Sequence, residues 1–272
     1  METGNKYFNT LTNNSTYDEN TVLRLSAKVK ADSFFYAVFD NTTHQLLMVD
    51  TIALSDLQNL SENHILRSSF NHVIIAIDNG IATLIRKDEF NEEESSIYFK
   101  HLSFSTHDGL YHFDSISEMD DIINLYPLNT LGLDKVLHVF PDAKIVHFST
   151  CVINYAISTI QEGVFVLIDD HHIYIAVVSE SHLLIYNNYK VKEAEDILYY
   201  ISLMYQEFNL DRASFKLYLS GDINNDSKAF LKLKTYFKYI VFPELKDISI
   251  SHIKEHIMST QYFDQYIINQ CE

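Results

Sequence analysis

Residues 164–190, VFVLIDDHHIYIAVVSESHLLIYNNYK, decide the fold. They hold three apolar runs, 164–168, 173–178 and 183–186, joined by short polar links. Runs of this length, rich in β-branched and aromatic residues and bounded by turn formers, read as three consecutive strands. The period then changes. The acids of Lys192-Glu193-Ala194-Glu195-Asp196 open a helix, in the first turn where the macrodipole favours negative charge. Ala194, Ile197, Leu198, Ile201, Met204, Tyr205 and Phe208 fall on one stripe of that helix. Residues 215–219 read as a buried strand ending in Ser220-Gly221-Asp222. A second helix is predicted over 226–237 and a last strand over 239–242, closed by Pro243. A meander that continues through a helix into a parallel strand makes a right-handed crossover.

Moving towards the N-terminus, the same order comes back. Residues 21–30, 33–39 and 45–52 read as three strands. In the first, Leu23, Leu25, Ala27 and Val29 alternate with Arg24, Ser26, Lys28 and Lys30, which predicts one wet face. Ser55 and Gln58 form a capping-box pair that starts a helix to about Ser69, and 72–78 is a buried strand. The two series keep a near-constant offset, from Ser33 to His172, from Ser55 to Glu193 and from Val73 to Phe215. Between them lie the acidic residues 91–95, strand-like pieces near 110–113 and 122–126, and a helix over 130–140 stopped by Pro141. Residues 143–148 read as the fifth strand of the first half and 149–161 as a linking helix. The expected organisation is a flexible arm at 1–20, a first half at 21–148 with an insertion at about 81–142, and a second half at 149–272. The fold class is α/β, with two mixed sheets that carry helices on their faces.

Composition narrows the function classes. Lysine and arginine total 20 against 37 acids, a net charge of −17 over 272 residues, which disfavours nucleic acid as a partner. No apolar run is long enough for a membrane span. The polar N-terminal stretch has no secretory h-region, so the expected location is the cytoplasm. Cys151 and Cys271 are too few for a disulfide framework and are expected as reduced thiols, able to pair only if the fold brings them together. Six glycines and three prolines stand against about 19 and about 14 at average usage. No Gly-x-Gly or Gly-Gly occurs, so neither a Walker loop nor a dinucleotide fingerprint is present. His252 and His256 with Glu255 lack the His-Glu-x-x-His order of a zinc site. Tyr199, Tyr200 and Tyr205 are read as core and rim packing.

A β-β-β-α-β-α-β unit used twice, with an insertion in the first copy, resembles the plan of the actin-like, ribonuclease-H-like superfamily. That superfamily includes actin, sugar kinases, heat-shock chaperone ATPases, and pilus-assembly and cell-division scaffolds. FPDAKIVH at 140–147, IYIAVVSESHLLIYNNY at 173–189, AEDILYYISLMYQEFNL at 194–210 and LYLSGDI at 217–223 are similar to a bacterial family of uncharacterised proteins, domain of unknown function 3822. The resemblance runs from about Thr21 to Glu272 and implies the fold; fold alone does not carry function.

In active members of the superfamily, nucleotide is held by two glycine-rich strand-turn-strand loops and a glycine-rich adenosine contact. The resemblance places these at Asp32 and Ser33, at Asp169, Asp170 and His171, and at Gly221 and Asp222. The first two lack glycine, and the second puts two carboxylates where phosphate oxygens would lie. The expectation is a degenerate site with no cofactor, and a non-catalytic scaffold or adaptor whose partner is another protein. Two alternatives stay open. One is a weak ATPase or kinase using ATP with magnesium. The other is a metal-dependent hydrolase with Asp169, Glu195 and Asp222 as ligands, as in nucleases on a related sheet.

Overall fold

The computed structural model describes residues 21–56, 66, 68–100, 110–128, 132–245 and 262–271. The chain forms two compact units. One holds Val152–Ile267; the other holds the described residues from Thr21 to Cys151 and takes in residues 268–271.

The first unit is built on a five-stranded sheet of β1 (Leu23–Val29), β2 (Ser33–Asp40), β3 (Leu46–Ala53), β4 (Phe70–Ile77) and β8 (Lys144–His147). Its order is β3-β2-β1-β4-β8. The β1–β2 and β2–β3 pairs are antiparallel, whereas β1–β4 and β4–β8 are parallel. Leu25, Ala27, Val29, Phe34, Tyr36 and Ile75 meet Val136 and Phe140, from and just after helix α2 (Leu133–Val139). The helix expected over 55–69 lies mostly outside the described residues; Ser55 and Asp56 sit in a short turn, and Leu66, Ser68 and Ser69, the described residues at its far end, are not helical.

The wet face expected on β1 does not exist. All seven of its residues are buried, Arg24, Ser26 and Lys28 included. β1 is the middle strand, so both of its faces are covered, and its polar side chains are met by protein instead of water. The Arg24 guanidinium donates to the Asn269 carbonyl at 2.6 Å. The Lys28 ammonium stands 4.5 Å from the centre of the Phe148 ring, a cation–π distance.

The segment between β4 and β8 makes a sheet of its own. β5 (Thr83–Arg86), β6 (Tyr111–Ile116) and β7 (Met119–Pro127) pair antiparallel in the order β5-β7-β6. Helix α1 (Ser95–Lys100) sets Phe99 against Ile85, Ile123 and Leu125 of this sheet.

The second unit repeats the order of the first. β9 (Gly163–Asp169), β10 (His172–Ser179), β11 (His182–Lys190), β12 (Leu217–Gly221) and β13 (Ile240–Val241) line up as β11-β10-β9-β12-β13. The pair directions also repeat: antiparallel, antiparallel, parallel, parallel. Val164, Val166, Ile168, Ile173, Ile175 and Val177 pack against α4 (Ala194–Glu207) and α5 (Lys228–Tyr236). The other face carries Phe165, which meets Tyr155 of α3 (Phe148–Thr159) and Phe263 of α6 (Phe263–Asn269) with ring centres 5.2 and 5.9 Å away. Burial on both faces explains why β9 and β10 read as unbroken apolar runs.

Candidate functional site

The three loops picked out by resemblance sit at the ends of β1, β9 and β12. In the first unit, β1 turns into β2 through Lys30, Ala31 and Asp32. The turn closes with the Lys30 N–H on the Ser33 carbonyl at 2.9 Å, and the Asp32 carbonyl accepts from the Leu54 N–H at 2.9 Å. The Ser33 hydroxyl donates to the Asp32 carboxylate at 3.1 Å. None of these residues has a positive φ. The alternation of right- and left-handed residues that turns successive N–H groups into an anion nest is therefore missing here.

In the second unit, β9 turns into β10 with Asp169 paired to His172. Asp170 takes the left-handed conformation, φ 55°, that a glycine would adopt at less cost. Its N–H donates to the Asp222 carboxylate at 3.0 Å. The Asp222 N–H in turn donates to the Ile168 carbonyl at 2.7 Å. Gly221 lies between these contacts with φ +86°, and a Cβ there would stand 1.9 Å from the Ile168 oxygen. Sequence reasoning placed Gly221 by its resemblance to a nucleotide contact. The structure supplies a separate need for it, the close approach of β12 to β9. The His171 ring nitrogen is 3.8 Å from the Asp170 carboxylate, both side chains being largely exposed.

Asp170 and Asp222 are thus brought together, one side chain against the other's backbone. Glu195 is engaged elsewhere. It lies in the first turn of α4 and pairs with Lys228 and Lys232 of α5, whose ammonium groups hold its carboxyl down to about 2. Among the described residues, no group of three or more His, Cys, Asp or Glu side chains is arranged to hold a metal ion. His252, Glu255 and His256 lie outside the described residues.

The first unit also contains a buried polar cluster that the sequence reading missed. Asp114 of β6 is its centre. Its carboxylate accepts from the Tyr126 hydroxyl at 2.9 Å, the His147 N–H at 2.7 Å and the Thr150 hydroxyl at 2.6 Å. Burial pushes this carboxyl up, and the three donors pull it back. Asn124 of β7 donates to Ser149 at 2.7 Å and to Thr150 at 2.9 Å. His147 Nδ1 accepts from the Ser149 N–H at 3.2 Å and lies 2.6 Å from the Ser149 hydroxyl. Its Nε2 therefore carries the proton and donates to Asn79 Oδ1 at 3.1 Å. Burial holds the imidazole neutral, down to about 3.

A serine, a histidine and an asparagine in line superficially match the nucleophile, base and orienting group of a hydrolase. Here the histidine, the serine and Thr150 are each at most 2 % exposed, and every polar atom just named is matched by another. No substrate can reach such a serine. The cluster is a joint between β6, β7, β8 and the start of α3. A polar residue inside a strand gives no sequence signal of whether it meets water or a buried partner, and Asp114 and Asn124 were invisible for that reason.

The model of the family "Protein of unknown function (DUF3822)" matches residues 12–240. The chain belongs to this family. A solved structure from Bacteroides thetaiotaomicron, a protein with actin-like ATPase fold and unknown function, is similar with a TM-score of 0.73. It is 17 % identical, covering 93 % of this chain and 97 % of that one. The PilM-PilN type IV pilus biogenesis complex contains a chain similar at a TM-score of 0.55 and 10 % identity, covering 91 % of this chain and 96 % of that one. At such identities the likeness carries the fold and none of the chemistry. The sequence has no match among curated proteins. No helix among the described residues is long and apolar enough to cross a membrane.

Proposed function

We propose that this member of the family is a non-catalytic actin-fold scaffold or adaptor that works in the cytoplasm, binds another protein and holds no nucleotide. The observation that carries the reading is the Asp222 carboxylate seated on the Asp170 N–H. In a phosphate loop, backbone donors at this kind of turn are free to meet the anion. Here the donor is taken by a carboxylate of the chain itself, and Asp169 and Asp170 add two more negative groups beside it. The turn of the first unit, without glycine or a left-handed residue, supports the same reading.

A protein partner fits the remaining observations. The net charge of −17 disfavours nucleic acid, and one chain of similar fold is solved as part of the PilM-PilN complex. Isothermal titration calorimetry with ATP and magnesium tests the proposal. The expected result is no binding heat. Saturable binding in the micromolar range would overturn it in favour of a divergent ATPase.

A further inference from the structure

Cys151 and Cys271 are 120 positions apart in the sequence (271 − 151), yet the fold sets their thiols together. Cys151 is in the first turn of α3, and Cys271 follows the last turn of α6, its N–H on the Ile268 carbonyl at 3.0 Å. Both belong to the first unit. The two side chains are within hydrogen-bonding reach of one another, and the buried Tyr126 hydroxyl feels both. They are 1 % and 4 % exposed, and neither is joined in a disulfide.

We propose that Cys151 and Cys271 are an oxidative modification site, which a hydroperoxide converts into an intramolecular disulfide that fastens the segment after α6 to α3. Access comes through Cys271, because it lies beyond the end of its helix, where opening costs least. The opened thiol gives up its proton and its sulfur attacks one oxygen of the hydroperoxide. The O–O bond breaks, a sulfenic acid forms, and the other oxygen leaves as water or an alcohol. When the segment closes again, the Cys151 sulfur attacks the sulfenic sulfur. The S–S bond forms, the S–O bond breaks, and the oxygen departs as water with the Cys151 proton. Two thiols have then lost two electrons and two protons, and the hydroperoxide has been reduced. Burial pushes the Cys151 thiol up and makes it inert alone; in this second step the nearness of the two sulfurs offsets the small thiolate fraction.

The test uses the reduced full chain, treated with hydrogen peroxide under native conditions, alkylated in denaturant and mapped by mass spectrometry. The expected product is one linked pair of peptides, containing Cys151 and Cys271 and lighter by two hydrogens. The product should keep its circular dichroism and melt several degrees higher, because the cross-link closes a long loop. The Cys271→Ser protein, which changes one atom beyond the last turn of α6, should melt like the reduced parent and leave Cys151 unmodified. Thiols that stay reduced in the folded chain overturn the proposal. So does a disulfide that forms only in urea, a covalent dimer, or Cys271 carried to sulfinic acid with Cys151 intact.

Discussion

A methyl group at Gly221 would overlap the Ile168 carbonyl oxygen, and the backbone there is left-handed. Both penalties fall on rigid main chain in the centre of the second sheet, where no side chain can rotate away. Gly221→Ala should therefore destabilise the protein by about 3 kcal/mol or more, combining strain at positive φ with overpacking. Urea unfolding followed by circular dichroism measures this. A loss below about 1 kcal/mol would mean that β9 and β12 can separate at little cost. Asp170 shows the complementary case. An aspartate tolerates the left-handed region better than most residues, so the hairpin survives without glycine.

Among elements, the Asp114 joint is the decisive contact of the inserted sheet. One carboxylate collects donors from β7, β8 and α3. Asp114→Ala would leave the Tyr126 hydroxyl, the His147 N–H and the Thr150 hydroxyl buried without an acceptor. The expected cost is about 3–5 kcal/mol. Hydrogen exchange should show protection lost first in residues 111–127. If protection is retained there, the joint is not what holds this sheet. This level also separates what the sequence disclosed from what it concealed. Apolar runs marked β9, β10 and β12 because both buried faces of these strands are lined mainly by apolar side chains. Alternation misled at β1: Arg24 and Lys28 carry charge, and charge usually means water, but here a carbonyl and a phenyl ring take its place. The short β5 and the independence of the three-stranded sheet went unread, because pairing partners separated by long loops leave no local trace. The candidate loops were legible as positions through resemblance. The carboxylate seated on the Asp170 N–H was not, because it joins residues 52 positions apart.

For the molecule as a whole, the titration of His147 makes stability depend on pH. Its folded value lies near 3 and its unfolded value near 6.5. Between these values the unfolded chain binds the extra proton. The contribution is complete above pH 6.5 and is lost as pH falls towards 3, at about 1.4 kcal/mol per unit. Asp114 has the opposite sign, because a carboxyl raised by burial favours the folded state as acid is added, and it offsets part of the loss at the acid end. Unfolding midpoints at pH 7, 6, 5 and 4 should fall steadily, and the His147→Gln protein should give a flatter line. Equal slopes in the two proteins would refute the assignment. The repeated strand order was the most legible feature at this scale, since it depends on the sequence of element types and not on any single contact. The membership of the last residues was not legible. Residues 268–271 belong with the unit whose strands begin near Leu23, and Arg24 meets its carbonyl acceptor at Asn269. On the ribosome, synthesis runs in one direction, so β1 waits for a segment 245 positions further on. This central strand holds an arginine that lacks this acceptor until residue 269 is made, and a fragment cut at residue 151 would never obtain it.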